Sequence, residues 1–274
     1  MTAIETWKEM IQVEHEQSGR MRGQVPAPED HWAQYAQQFK ADPRRTGDLL
    51  VDYLQAQVVS GQVVIDVGAG GGRLALPLAL VCDRVVAVEP SHSMCQVLRE
   101  AATEFGVSNV EVVESEWMDA DVAKADVTLC SHVVYTIQDI EPFVRKLEDR
   151  AAELVIVVLF QSPPQSQIYH LWETVHGEPR HPLPSLPEFR NVLTAMGVRP
   201  TINALPGQPA QGFDNLDDAK AQLARRLYVA PGSRQMDRLE SALAGMLEEK
   251  DGTLRIRGAR PLIPNVVSWR PSAT

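Results

Sequence analysis

The residues of this chain best suited to chemistry sit where apolar runs stop. Val63-Val64-Ile65-Asp66-Val67 passes directly into Gly68-Ala69-Gly70-Gly71-Gly72 and then Arg73-Leu74. Glycines at such a point let the backbone turn tightly and come close to a ligand, where a following helix offers unpaired N–H groups. A second run, Val85-Val86-Ala87-Val88, ends on Glu89-Pro90, 17 residues beyond Gly72. That spacing sets a second strand end beside the first, and a carboxylate there can accept protons from both hydroxyls of a ribose. The Gly-x-Gly-x-x-Gly pattern that seats a dinucleotide fails, because its sixth position, counted from Gly68, is Arg73. A loop flanked by acids suits a cation better than a diphosphate.

The elements that must position these groups alternate in period. Val63 to Val67, Val85 to Val88, Val110 to Val113, Val127 to Cys130 and Leu154 to Leu159 are short β-branched runs separated by helix-length segments. Such an alternation predicts an α/β chain with a parallel sheet buried on both faces. Ser91 is placed to cap a helix with Met94, Leu98, Ala101 and Phe105 on one side, closed by Gly106. Another helix is predicted over Ile140 to Arg150. Before residue 60, Trp32, Tyr35 and Phe39, then Leu50, Tyr53 and Leu54, recur at helical spacing, giving two helices behind a loop at Pro26 and Pro28. Beyond Phe160 the pattern predicts a Pro- and His-rich insertion over 161–187, a helix over Pro187 to Met196 and a strand over Arg199 to Ala204. Two helical stretches follow within 214–249, then strands at Thr253 to Ile256 and at Val266 to Trp269, the latter ending the sheet.

The spacing Asp66-x-Gly68-x-Gly70-x-Gly72 resembles motif I of the class I S-adenosylmethionine-dependent methyltransferases, and the resemblance runs through residues 61–160 with the motifs in the family's order. It implies a Rossmann-like, seven-stranded, mostly parallel sheet with helices on both faces, N-terminal helices and helical capping insertions. The family's reversed last strand would be supplied by Val266 to Trp269. It implies S-adenosyl-L-methionine as cofactor and S-adenosyl-L-homocysteine as product, with cofactor contacts at Asp66, Gly68, Ala69, Gly70, Gly72, Glu89 and Pro90. Val112-Val113-Glu114-Ser115-Glu116-Trp117 is similar to the family's segment after the third strand. There Glu116 would bind the adenine amino group and Trp117 would stack on the base or donate its backbone N–H; an exposed acid and a core filler are the plainer readings. Ala125 to Tyr135 resembles motif IV, which places Cys130 and Ser131 at the cofactor.

Methyl transfer is an in-line displacement that depends mainly on placing two reactants and excluding water, so no strong base is required. His132 and Tyr135 leave the fourth strand where an acceptor would enter and are the candidate catalytic residues. His132 can serve as base for a hydroxyl, or as a hydrogen-bonded structural group. Tyr35, Tyr169, His170 and Trp172 are candidate pocket residues, with packing as the alternative. The spacing of His170, His176 and His181 does not follow the i, i+4 pairing of a helical zinc site, so no metal is expected. Residues 1–58 read as an N-terminal helical lid and 59–274 as the methyltransferase domain, with cap segments at 161–187 and 212–250.

Composition narrows the partners. With 26 basic and 36 acidic side chains the net charge is −10, against a nucleic-acid binder. Arg255, Arg257 and Arg260 read as the solvated face of a hairpin. No apolar run reaches the roughly 20 residues of a membrane span, the first thirty residues hold no secretory signal, and three cysteines do not make a disulfide framework. The expected protein is a cytoplasmic enzyme, monomer or homodimer, acting on a small-molecule acceptor with no nucleic-acid or membrane partner. An NAD- or FAD-linked oxidoreductase and a non-catalytic member of the same fold are the competing readings.

Overall fold

A computed structural model describes residues 1–23, 30, 32–33, 36–209 and 212–271. The β-branched runs form β1 (Val63–Val67), β2 (Arg84–Glu89), β3 (Val110–Glu114), β4 (Ala125–Ser131) and β5 (Ala151–Phe160). They join β6 (Thr201–Ala204) and β9 (Pro264–Trp269) in a seven-stranded sheet of order β3-β2-β1-β4-β5-β9-β6. Strands β1 to β5 pair in parallel, and β9 runs antiparallel to both neighbours, with Val157 opposite Val267 and Ile202 opposite the same residue. The reversed strand does not lie at the edge: β9 slots between β5 and β6, which is the edge. Thr253–Ile256 (β8) does not join the main sheet either, but pairs with Leu247–Lys250 (β7) in a separate hairpin.

Helices cover both faces because both faces are apolar. On one side α2 (Leu49–Gln55), α3 (Ala75–Ala79) and α4 (His92–Glu104) bury Leu50, Leu54, Leu76 and Leu98 against Val64, Val85 and Val127. On the other, α1 (Ala3–Arg22), α5 (Ile140–Arg150) and α7 (Leu186–Ala195) bury Trp7, Ile11, Phe143, Leu147 and Phe189 against Ile65, Val88 and Val157. The periodicity before residue 60 pointed to two helices and passed over α1. Trp7 of that helix is fully buried, its ring 5.8 Å from Phe189 and its indole N–H donating to the Ile137 carbonyl at 2.8 Å. The helix expected through Trp32, Tyr35 and Phe39 is a single 3-10 turn at Ala36–Phe39, and Tyr35 lies outside the described residues.

A third cluster lies apart from the sheet faces. α6 (Tyr169–His176), α8 (Leu216–Arg226) and α9 (Arg234–Met246) bury Leu171, Trp172, Leu223, Leu227, Leu239 and Leu243 among themselves and against Ile256 of the hairpin. The chain leaves β5 and β6 for this layer and returns from it into β9. All three junctions lie at the end of the sheet where β1 meets the glycines, so the layer stands over that end. No helix among the described residues is long and apolar enough to cross a membrane.

Candidate functional site

Strand β1 delivers Asp66 and the glycines to the carboxyl edge of the sheet, one strand from Glu89 at the end of β2. Gly68 donates its N–H to the Val88 carbonyl at 2.8 Å, and Gly70 donates to Glu89 Oε2 at 2.9 Å. Gly68, Gly70 and Gly72 have φ of 73°, 53° and 86°, in the left-handed region that a side chain disfavours. Space adds a second demand at Gly68, where a Cβ would stand 2.3 Å from Val133 Cγ2. The loop is thus locked to β2 by hydrogen bonds and to the end of β4 by contact, leaving its remaining N–H groups and carboxylates to face a ligand.

Those carboxylates are short of partners. Asp66 is 2 % exposed and its Oδ2 has no hydrogen-bond partner. Burial first, then the neighbouring Glu89 charge, pushes its carboxyl up to about 7 against a hydrogen bond from the Ala75 N–H. Glu89 accepts from the N–H groups of Gly70 and Ser91, both at 2.9 Å. Burial still raises its pKa, helped by Glu116 and Asp30. Among the described residues no arginine, lysine or histidine forms an ion pair with Asp66 or Glu89; the nearby Arg73 is held by Asp48 at 2.7 Å. A buried acidic cleft with no internal cation is costly empty and favourable around a cationic ligand that also brings hydroxyls. It repels a diphosphate. The residues therefore fit S-adenosylmethionine, whose sulfonium and ammonium are cations and whose ribose offers two donors.

A pH dependence follows from Asp66. Its pKa is higher folded than unfolded, so between the unfolded value and about 7 the folded chain binds more protons and loses stability as pH rises. Urea unfolding of the ligand-free protein should show this contribution as ~2 kcal/mol less stability at pH 8 than at pH 5.5. Asp66→Asn should flatten that difference, and a slope equal to wild type would show that Asp66 does not carry it.

The other expected residues divide by where the fold puts them. Trp117 is 4 % exposed, its indole N–H reaching the Phe143 carbonyl at 3.4 Å and its ring 4.8 Å from Lys146 Nζ. Its ring packs in the core beside α5, as the plainer of the two readings expects. Lys146 holds this segment by binding the carbonyls of Trp117, Met118 and Ala120 at 2.6, 3.0 and 2.8 Å. Glu116 is exposed at the rim and near enough to Glu89 to raise its pKa. Pro90 follows Glu89 on the exposed side, Cys130 is fully buried beside Asp66, and Ser131 ends β4 half-buried.

His132 turns the chain off β4 with a left-handed φ of 58°, a conformation uncommon for a residue other than glycine and costly to hold. Its ring lies 4.2 Å from that of Phe160, and its Nδ1 is 3.1 Å from the Tyr135 hydroxyl. The same hydroxyl accepts from the Phe160 N–H at 2.7 Å. Either group can donate in that contact: where the hydroxyl hydrogen goes to Nδ1, the imidazole carries its proton on Nε2. Burial, then the Arg73 charge, lowers the imidazole pKa to about 4, so the ring is neutral at pH 7. The two side chains form a neutral, hydrogen-bonded pair at pH 7.

Of the expected pocket residues, Trp172 is packed in the third cluster, its ring 4.0 Å under the Arg180 guanidinium and 4.4 Å from His176. That packing leaves it no face for a ligand. Tyr169 is half-buried near the same ion pair, burial raising its hydroxyl to about 12, and His170 is exposed. Arg180 pairs with Glu14 of α1, joined by Gln17 and Ser18 at 3.0 and 2.8 Å. Sequence reading missed Asp30, whose carboxylate takes the Ser91 hydroxyl at 2.9 Å and the Ser93 N–H at 3.1 Å at the start of α4. Against the opposing cost of desolvation, those bonds, with one from Trp32, hold its pKa down at about 2. It also missed Asp48, which caps α2 and anchors both Arg45 and Arg73. The cap pattern marks Asp48 in sequence; nothing local marks Asp30. No group of three or more potential ligands is set to hold a metal among the described residues.

Known proteins are similar to this chain in sequence and in fold. The profile of a family described as a methyltransferase domain matches residues 65–150. A Pyrobaculum aerophilum protein named "Probable ribosomal RNA small subunit methyltransferase A" is 31% identical over 80% of this chain and 85% of its own length. The ubiquinone biosynthesis O-methyltransferase of Methylocella silvestris is 32% identical over 32% of this chain and 34% of its own. The first curated relatives are matched over only 40%, 39% and 34% of their length. A solved Bacillus halodurans C-125 structure has the same fold at 15% identity, with a TM-score of 0.56 over 83% of this chain and 100% of that one. A fold, an acidic crevice and a sequence likeness that runs nearly the length of one relative agree, and the chain belongs to the class I S-adenosylmethionine-dependent methyltransferases.

Proposed function

We propose that the chain methylates a small molecule that enters beside His132, under the α6, α8 and α9 layer. The observation that carries the cofactor half is the pair of buried carboxylates, Asp66 and Glu89, without a cation of their own. When bound, S-adenosylmethionine supplies the electrophilic methyl group. The chain's residues do the placing: the Gly68 to Gly72 turn gives a close backbone surface, Asp66 and Glu89 offer acceptors, and Asp30 fixes the start of α4 beside them. The turn Ala36–Phe39 reads as the covering edge, since Phe39 lies against Gly71. Glu116 and Ser131 read as rim contacts.

The acceptor half rests on charge and cover. Nucleic-acid binding draws most of its affinity from lysines and arginines neutralising phosphates. Here Arg45 and Arg73, beside the glycine turn, and Arg180 are each engaged with a carboxylate. The helical layer formed by 161–187 and 212–250 also stands where a large substrate would have to approach. Cys82, Cys95 and Cys130 are free thiols, which suits a cytoplasmic enzyme. The test supplies methyl-labelled S-adenosylmethionine with a low-mass metabolite extract, ribosomal RNA and ribosomal protein in separate reactions. Label should enter the low-mass fraction; incorporation into RNA or protein instead overturns the acceptor class, and NADH displacing S-adenosylhomocysteine overturns the cofactor.

His132 serves in this reading as a hydrogen-bond donor that orients the acceptor. His132→Gln should lower kcat/KM by about tenfold, the worth of one hydrogen bond, chiefly through KM. The pH–rate profile between 6 and 8 should keep its shape. A profile that loses a limb in the variant would make His132 the base.

A further inference from the structure

Helix α8 sets Gln222 and Arg226 one turn apart, where they line a cavity of about 310 Å³. Its apolar wall is Ile168, Phe213 and Ile256, each 5 % exposed or less, and the Gln208 side chain joins from the crossing where Gln208 pairs with Leu262. Among the described residues no acidic side chain lines it. Asp218, one turn back on α8, is occupied by the Gln222 amide at 2.9 Å and the Asp214 N–H at 3.2 Å. Among the described residues Arg226 has no hydrogen-bond or ion-pair partner, and desolvation alone lowers its pKa. A guanidinium withdrawn from water without a counter-charge is a standing cost, and its planar fork matches a carboxylate in two parallel hydrogen bonds. A single cation above an apolar wall suits a monoanion with an apolar body better than a phosphate, which gathers several positive groups.

We propose that this cavity is a second binding site, sharing no residue with the glycine crevice, and that it takes a monocarboxylate whose charge rests on Arg226 and whose apolar body lies against Ile168, Phe213 and Ile256. The volume is at the lower end of ligand pockets, room for a ring-sized acid.

The probes are benzoate, its neutral isostere benzamide, and inorganic phosphate, titrated into the full chain by NMR. Benzoate should bind at least tenfold more tightly than benzamide, and phosphate should not compete with it. Arg226→Gln should bring benzoate down to the benzamide level and leave S-adenosylhomocysteine affinity and thermal midpoint undiminished, because it removes an unpaired charge. Arg226→Lys should retain part of the preference. Equal binding of benzoate and benzamide by the wild type overturns the site without recourse to a variant, as does unchanged benzoate affinity in Arg226→Gln. Phosphate binding as tightly as benzoate overturns the ligand class. These readouts do not involve methyl transfer, so the site stands or falls apart from the proposed activity.

Discussion

Glu89→Gln should weaken S-adenosylhomocysteine binding by about 100-fold, or ~3 kcal/mol, while leaving thermal stability at neutral pH unchanged or raised. Both halves follow from one environment. The carboxylate is 5 % exposed, and its two hydrogen bonds, from Gly70 and Ser91, do not cancel the cost of keeping it charged. Glutamine removes that cost from the empty protein. It also puts an NH₂ where an oxygen accepted a backbone N–H, so the loop and a ribose must compete for one remaining acceptor. Calorimetric titration and a melting curve on the same preparation check both parts. A variant that binds like wild type would show that Glu89 does not hold the cofactor; one that loses affinity and stability together would make Glu89 a structural strut of the loop.

The second large effect is at Gly68. Gly68→Ala should cost ~3 kcal/mol of folding stability, of which ~1 kcal/mol is the left-handed backbone and the remainder the collision with Val133. Gly106 is the control: its φ of 67° is similar, but nothing lies within 4 Å of an added Cβ, so Gly106→Ala should show the backbone part alone. In Gly68→Ala the alanine must push Val133 aside, and Val133 is bonded to His132. Activity should therefore fall further than stability predicts. Adding Val133→Ala removes the methyl at 2.3 Å and should return the collision part but not the backbone part. Urea denaturation of Gly68→Ala, Val133→Ala and the double variant measures this coupling. Additive losses would show that the steric contact is not the cause.

Sequence served the two halves of the site unequally, for physical reasons. The crevice was legible because its requirements are local: five β-branched runs can only be buried strands, and glycines between a strand and a helix leave few uses. The last strand's reversal was legible by resemblance, but its place between β5 and β6 depends on pairing across the whole C-terminal half. Helix α1 escaped because its buried face is Trp7, Ile11, Glu14, Gln17 and Ser18, more polar than apolar, and is satisfied only by Arg180 and its neighbours far along the chain. The signal that marks it is at its start, where Thr2 and Glu5 form a reciprocal cap. Trp117 illustrates the reverse: its position was legible and the direction of its ring was not, because a Trp after a strand can serve either side of the sheet. Asp30 acts on Ser91 and Ser93 through space only, and an acid two residues after Pro28 in the sequence carries no mark of that role.

The insertion of β9 between β5 and β6 also sets an order of assembly. β5 and β6 have no bonds to each other: β5 is paired with β4 on one edge, but its other edge and β6 find their partner only in the last strand, with Val155 to Phe160 against Trp269 to Pro264 and Thr201 to Ala204 against Ser268 to Asn265. Until the chain has travelled from Phe160 through the helical layer and back, one edge of the apolar strand β5 stands open, a template for pairing with another molecule. Sheet completion is therefore late and non-local, and the slow step of refolding is expected to be this closure, with aggregation as its rival.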